Sequence, residues 1–466
     1  MSARIVYKGG LLLDRSGVRR GDLAVDGGSI VAAGGEVAPR PGDIVVNASG
    51  GLVIPALVDA HTHLRVPGGE EAETLETGTM AAAMGGYAAV LAMPNTSPPL
   101  DNPARVAQML AGAARLPVRV LSSGTITKER AGAELSPLAA LAKAGVRLVT
   151  DDGSGVQDAN LMRRALQYGA ELGLVVAEHC EVESLFGAGV MNEGALSAGL
   201  GLRGIPAVAE EVMVARDIEL ARAIRGRLHL LHLSTGRSAE LVARAKADGV
   251  PVTAEVTPHH LLLTEELLSG YDSVYKVNPP LRSGDDRRRL WEQLSQGVFD
   301  VIGTDHAPHP RWRKEATLDD AAFGMLGLQH ALAAVYTGAL GAIEEGLVPQ
   351  GLPDAVSASI AAAVGSQAEA ERLGWLWRIV AMMSWQPAQL LGLDENFVGR
   401  LEAGARANVV FFDTSAEWTP TSNSILSKAG NSPYLGVGLK GRVVDVVVEG
   451  RRLVGSGELI YEGNWE

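Results

Sequence analysis

Two histidines one residue apart, His61 and His63, are the first groups along this sequence with an evident chemical use. Side chains alternate faces along an extended strand, so both imidazoles fall on the same face and can reach one ion. A borderline metal such as zinc accepts imidazole, especially when carboxylates complete its shell. Residues of the same types follow other apolar runs: Asp151-Asp152, His179, His232 and Asp305. Together they point to a metal centre. Four imidazoles and several carboxylates exceed the needs of one tetrahedral ion, which favours two ions sharing a bridging carboxylate, with a single ion as the alternative. Asp151 and Asp152 both qualify as the bridge, because parity alone does not fix the phase of their strand.

The elements that must position these groups are short apolar runs separated by alanine- and leucine-rich helical stretches, the texture of parallel βα units. Eight runs fall at 53–58, 88–92, 118–121, 146–149, 174–177, 228–231, 252–256 and 301–302. Eight is the count that closes a (β/α)₈ barrel, whose reactive groups stand at the C-terminal ends of the strands. The candidate ligands do follow their runs rather than precede them. Residues 1–54 instead alternate short β-rich pieces with glycine turns, and similar texture returns from 397 to 466. Either end alone offers too few strands for a core, so the two are expected to build one small β-sandwich domain beside a catalytic barrel spanning 55–396. The stretch from Gly341 to Trp377 is expected to be peripheral helix after strand eight.

Other residues have plainer readings. His229 lies three residues before His232, hence on the opposite face of the strand, and is read as structural. His259 and His260 precede an expected helix at 264–268 and suit turn or capping roles. His330 reads as a packed or surface histidine, and Cys180 as core. The 466 residues carry a net charge of −13 without a basic cluster, which argues against nucleic acid. No apolar run reaches the roughly 18 residues of a membrane span, and no secretory signal opens the chain. One cysteine permits no internal disulfide. A cytoplasmic location is the expectation.

At this level of detail the chain resembles the amidohydrolase superfamily and, within it, the class I bacterial dihydroorotases. The resemblance rests on His61-Thr62-His63-Leu64-Arg65, Met93-Pro94-Asn95-Thr96, Asp151-Asp152-Gly153 and the run from Thr253 to His260. It continues through Lys276 to Arg282, Thr304 to His309 and Phe323-Gly324. It implies that His61 and His63 hold one zinc and His179 and His232 a second, with Asp152 bridging them. Asp305 would ligate the first ion and act as catalytic base. Arg65, Asn95 and His309 would hold a substrate carboxylate close to His63, with Asn278 and the Phe323-Gly324 backbone against the ring. Val66 and Trp385-Gln386-Pro387 depart from the family's usual residues.

The activity implied is the reversible cyclisation of N-carbamoyl-L-aspartate to dihydroorotate in pyrimidine synthesis. Hydantoinase- or allantoinase-like amidases are the nearest rivals; they resemble the chain at HxH but bridge their metals with a carboxylated lysine, and the fourth run has no lysine. A non-catalytic scaffold homologue for aspartate transcarbamoylase is the rival from another class, disfavoured because every ligand is present. Homo-oligomerisation, and association with aspartate transcarbamoylase by an active protein, remain open.

Overall fold

The computed structural model of the chain describes residues 3–461. Its centre is a ring of parallel strands: Leu57–Thr62, Tyr87–Ala92, Arg119–Ser122, Leu148–Thr150, Val175–Glu178, Leu228–Leu230, Val252–Val256 and Val301–Ile302. Sequential neighbours pair in parallel. Single parallel bridges, Gly124 to Val149 and Thr62 to His306, join the remaining edges and close the barrel. Helices cover the outside, so strands such as Tyr87–Ala92 are buried along their whole length. That burial on both faces is why they read as unbroken apolar runs instead of alternating ones.

One expected strand divides. The run 53–58 changes sheet at Ala56: Leu52–Pro55 pairs with Ile5–Asp14 and Val409–Trp418, whereas Leu57–Thr62 opens the barrel. Both halves are fully buried, so hydrophobicity carries no mark of the switch.

Among the described residues, strands from before and after the barrel join in a nine-stranded sheet. The expected sandwich is therefore one continuous sheet rather than two separate ones. It curls through irregularities between Tyr7 and Gly10 and between Asp413 and Glu417. Ser29, near the end of the path, bridges back to Arg406, and Ile30 donates to the Ala405 carbonyl at 2.9 Å. Tyr7, Leu12, Leu23, Ile30, Val53, Val409, Phe411 and Val447 fill the enclosed core.

The stretch from Gly341 to Trp377 is integral rather than peripheral. It spans the end of helix Ala331–Glu344, all of Asp354–Ala363 and much of Gln367–Met383. Trp375 is fully buried, edge-on to Trp291 with ring centres 5.2 Å apart. Trp377 Nε1 donates to the Asp14 carbonyl at 2.9 Å, and Ser359 Oγ accepts from Val18 N–H at 3.0 Å. Barrel and sheet are fastened together through this segment. Among the described residues no helix is long and apolar enough to cross a membrane.

Candidate active site

The C-terminal ends of the barrel strands converge on a cavity of about 180 Å³. At its floor His61, His63 and Asp152 offer donor atoms close enough to share one ion, and Asp152, His179 and His232 offer a second set. Asp152 stands between them. Its Oδ2 is 3.4 Å from His63 Nε2, while its Oδ1 lies 3.6 Å from His61 Nε2, 3.6 Å from His179 Nδ1 and 3.4 Å from His232 Nε2. Asp305 Oδ1 reaches His63 Nε2 at 2.9 Å and His61 Nε2 at 3.5 Å. Asp151 faces elsewhere and accepts from the Ile126 and Thr127 N–H groups and the Thr127 hydroxyl. Of the adjacent pair, only Asp152 therefore joins the cluster.

Three imidazoles have their outward nitrogens committed. His61 Nδ1 donates to Glu255 at 2.9 Å, His63 Nδ1 to Asn95 Oδ1 at 2.9 Å, and His179 Nε2 to Glu181 at 3.1 Å. Each bond fixes a tautomer whose lone pair points into the cluster, the arrangement by which outer carboxylates orient metal-binding histidines. His61 Nε2 is buried without a hydrogen-bond partner, and His179 Nδ1 faces His232 Nε2 at 2.9 Å. Converging lone pairs and an orphaned nitrogen beside two carboxylates fit a divalent cation.

The electrostatics agree. Burial disfavours the charged forms of His61 and His179, yet Glu255 and Asp152 raise the first, and Asp152 and Glu181 raise the second to about 10. Positive charge at these nitrogens is thus strongly favoured. Burial would push the Asp152 and Asp305 carboxyls up, but the surrounding imidazoles hold both below the usual range. The backbone is strained here too. His232 and Asp305 adopt φ of 31° and 47°, and Arg65 takes 60°, a region non-glycine residues enter at a cost of about 1–3 kcal/mol and which clusters at functional sites.

The rim is built from loops. Arg65 Nε donates to the Pro308 carbonyl at 3.1 Å, and Nη2 lies 3.3 Å from His309 Nε2. Loss of hydration pulls the guanidinium down to about 10 despite Asp305 and Asp152 nearby. Asn95 Nδ2 lies 3.3 Å from Asp152 Oδ2, and Asn278 Nδ2 donates to Glu181 at 2.6 Å. His309 Nε2 lies 2.7 Å from the Phe323 carbonyl. Gly324 has φ of 131°, and a Cβ there would sit 2.7 Å from the Ala307 Cβ, so only glycine lets this backbone close against His309. Arg65, Asn95, Asn278, His309, Phe323 and Gly324 all line the cavity. His61 alone of the expected site residues lies outside its lining, completely buried beneath it.

The Dihydro-orotase-like family pattern matches residues 50–238. A dihydroorotase of Pelotomaculum thermopropionicum is 42% identical over 450 residues, covering 96% of this chain and 98% of the relative. One from Leifsonia xyli is 43% identical, covering 98% and 97%. The chain belongs to the dihydroorotase family. Among solved structures, the L-hydantoinase of Arthrobacter aurescens superposes with a TM-score of 0.82 at 24% identity, covering 99% and 98% of the two chains; this likeness speaks to the fold. The chain is a cyclic amide hydrolase with histidine and aspartate groups able to hold metal.

Several residues of this dihydroorotase-family site escape sequence reasoning. Glu255 was visible only within a motif, yet it supports His61 and accepts from His232 N–H at 3.2 Å. A Cβ on Gly303 would lie 2.4 Å from the Glu255 carboxyl carbon, which explains the glycine. Glu181 holds both His179, two positions before it, and Asn278 from a distant loop. Asp59, pushed by burial to about 7, ties the first strand to the eighth through Thr304 Oγ1 at 2.5 Å. His229 is also nearer than expected: its Nε2 lies 3.6 Å from Glu255. Strand pairing ends at Leu230 and His232 turns at positive φ, so two-residue alternation does not reach it. His259 and His260 lie in helix Pro258–Leu262, whose cap Thr257 accepts from His260 N–H. The expected helix at 264–268 is a 3₁₀ segment, Glu265–Gly270.

Proposed function

We propose that this chain is a class I dihydroorotase that interconverts N-carbamoyl-L-aspartate and dihydroorotate with two zinc ions bridged by Asp152. One observation carries the reading: a guanidinium and two amide side chains line a small cavity whose floor is formed by two histidine sets that share one carboxylate. His61 and His63 would hold one ion with Asp305, and His179 and His232 the other. Bound zinc supplies an activated water and polarises a carbonyl. The remaining work falls to the protein. Asp305 takes a proton in the hydrolytic direction and delivers it to the departing ring nitrogen, a role worth about 10²–10⁴ in rate. Arg65, Asn95 and His309 hold the substrate carboxylate, while Asn278 and the Phe323-Gly324 backbone orient the ring. Arginine suits this because its planar fork matches a carboxylate and is poorly satisfied without one. The same reading divides the chain into a barrel of 55–396 and a sheet domain of 1–54 with 397–466.

Substrate comparison tests the proposal. Dihydrouracil is dihydroorotate without its carboxylate, and a site built around an obligatory polar contact rejects such an analogue by on the order of 10⁴. Fast hydrolysis of dihydroorotate with almost none of dihydrouracil or hydantoin is expected. Comparable kcat/KM values for the two six-membered rings would overturn the assignment in favour of a hydantoinase-like amidase. Ring closure also consumes a proton, so near neutrality the equilibrium should move about tenfold toward carbamoyl aspartate per pH unit of alkalinity.

A further inference from the structure

The sheet domain's connecting segment reaches into the rim at one residue. Asn431 is buried and lies 107 to 124 positions beyond the residues it holds. Its Oδ1 accepts from His309 N–H at 3.2 Å, and its Nδ2 donates to the carbonyls of Ala307 at 3.0 Å and Gly324 at 3.2 Å. Its own carbonyl accepts from Leu326 N–H at 3.1 Å. The segment is anchored just before this point, where Ser427 Oγ and Lys428 N–H both bond to buried Glu73.

We propose that Asn431 is a positioning residue for substrate, setting the distance between His309 and Gly324 without touching the ligand. One N–H and two carbonyls converge, a pattern that an amide with one acceptor and two donors satisfies completely. Aspartate would keep the acceptor, lose both donations and add a buried charge. Asn431 is absent from the cavity lining, whereas three of the residues it touches, Ala307, His309 and Gly324, are in it. Gly324 is fixed from the other side, where its N–H donates to the Lys276 carbonyl at 3.0 Å. Without the amide clamp, the His309 side of the carboxylate pocket would separate from the ring-facing backbone. Displacement of a binding group by about 1 Å can lower activity 10²-fold. The inference rests on the cavity accepting a carboxylated ring.

Steady-state kinetics of Asn431→Ala and Asn431→Asp with dihydroorotate, metal analysis and hydrogen exchange by mass spectrometry test it. For both variants KM should rise at least about tenfold, with kcat within about threefold and metal content unchanged. Peptides containing His309 should exchange faster in Asn431→Ala but stay protected in Asn431→Asp, which retains the acceptor. A merely structural residue would lower kcat and metal content together, and that result, or unchanged KM, overturns the proposal. If Asn431→Ala does not fold, the near-isosteric Asn431→Asp decides by the same split. Should the parent protein not turn over dihydroorotate, the functional reading fails, and the His309 exchange pattern alone tells whether the clamp exists.

Discussion

The floor and the rim of the cavity are held by different physics. On the floor, His61, His63, His179 and His232 meet Asp152 and Asp305, and the outer acceptors Glu255, Glu181 and Asn95 fix three of the rings. Charge balance governs there, since a buried ion or imidazolium needs a compensating partner. On the rim, Arg65, His309 and Gly324 are located by backbone carbonyls and N–H groups and by the room a missing Cβ leaves. Shape governs there. Substitutions on the floor should therefore alter metal content or the chemical step, and those on the rim substrate preference.

Asp305→Asn should have the largest effect. An amide can neither accept nor deliver the proton, so kcat should fall by about 10²–10⁴ while the protein folds and keeps part of its metal. Arg65→Met is the rim counterpart. Loss of a charged contact worth roughly 3–4 kcal/mol should reduce kcat/KM for dihydroorotate by about 10²–10³, with full metal content by elemental analysis. Metal loss in Arg65→Met would erase the distinction between the two regions. Glu255→Gln, which touches no substrate, should weaken metal affinity about 10–100-fold in a chelator competition. Asp151→Ala offers the control: its metal content should match the parent, while loss of its acceptor for two buried N–H groups should lower stability by about 1–3 kcal/mol. If it sheds metal and Asp152→Ala does not, the two aspartates have exchanged roles.

The last effect is read in stability rather than in turnover and concerns buried Lys314. Burial, with the charge of Lys276 nearby, lowers the Lys314 ammonium to about 7, while its Nζ donates to the Lys276 and Ala322 carbonyls. A lysine depressed in the folded state is disfavoured while charged, so the unfolded chain binds more protons between pH 7 and 10.5 and stability rises across that window. Thermal unfolding of Lys314→Met against the parent should show the variant's advantage shrinking from pH 7 to pH 10. A constant difference would place the lysine in contact with water.

Much of this was legible in the sequence, and the exceptions share a cause. Buried parallel strands announce themselves as apolar runs, and reactive residues at their ends follow from barrel geometry. The run 53–58 misled because two sheets bury it equally well. His229 stands nearer Glu255 than alternation implies, because alternation holds only while a strand continues and the one before His232 stops at Leu230; it belongs to neither of the two donor sets. Glu255 and Asn431 carried no spacing signal, since each acts on residues from a different strand or loop; Glu181 does stand two positions from His179, but its second partner, Asn278, comes from a distant loop. The helices across 341–377 looked peripheral because alanine and glutamate dominate them and tryptophan enters only at their end, although Trp375 and Trp377 face the barrel and the sheet.

The sheet that flanks the barrel also has a timetable. Leu52–Pro55 finds its antiparallel neighbour only in Val409–Trp418, roughly 350 residues later. At about 5–20 residues per second of synthesis, the early strands wait some 20–70 seconds with an unpaired edge. An unpaired edge is a template for association with other chains. Nascent chains released or stalled before residue 409 should accordingly be captured by chaperones or aggregate through their first strands, even where the barrel behind them has already closed.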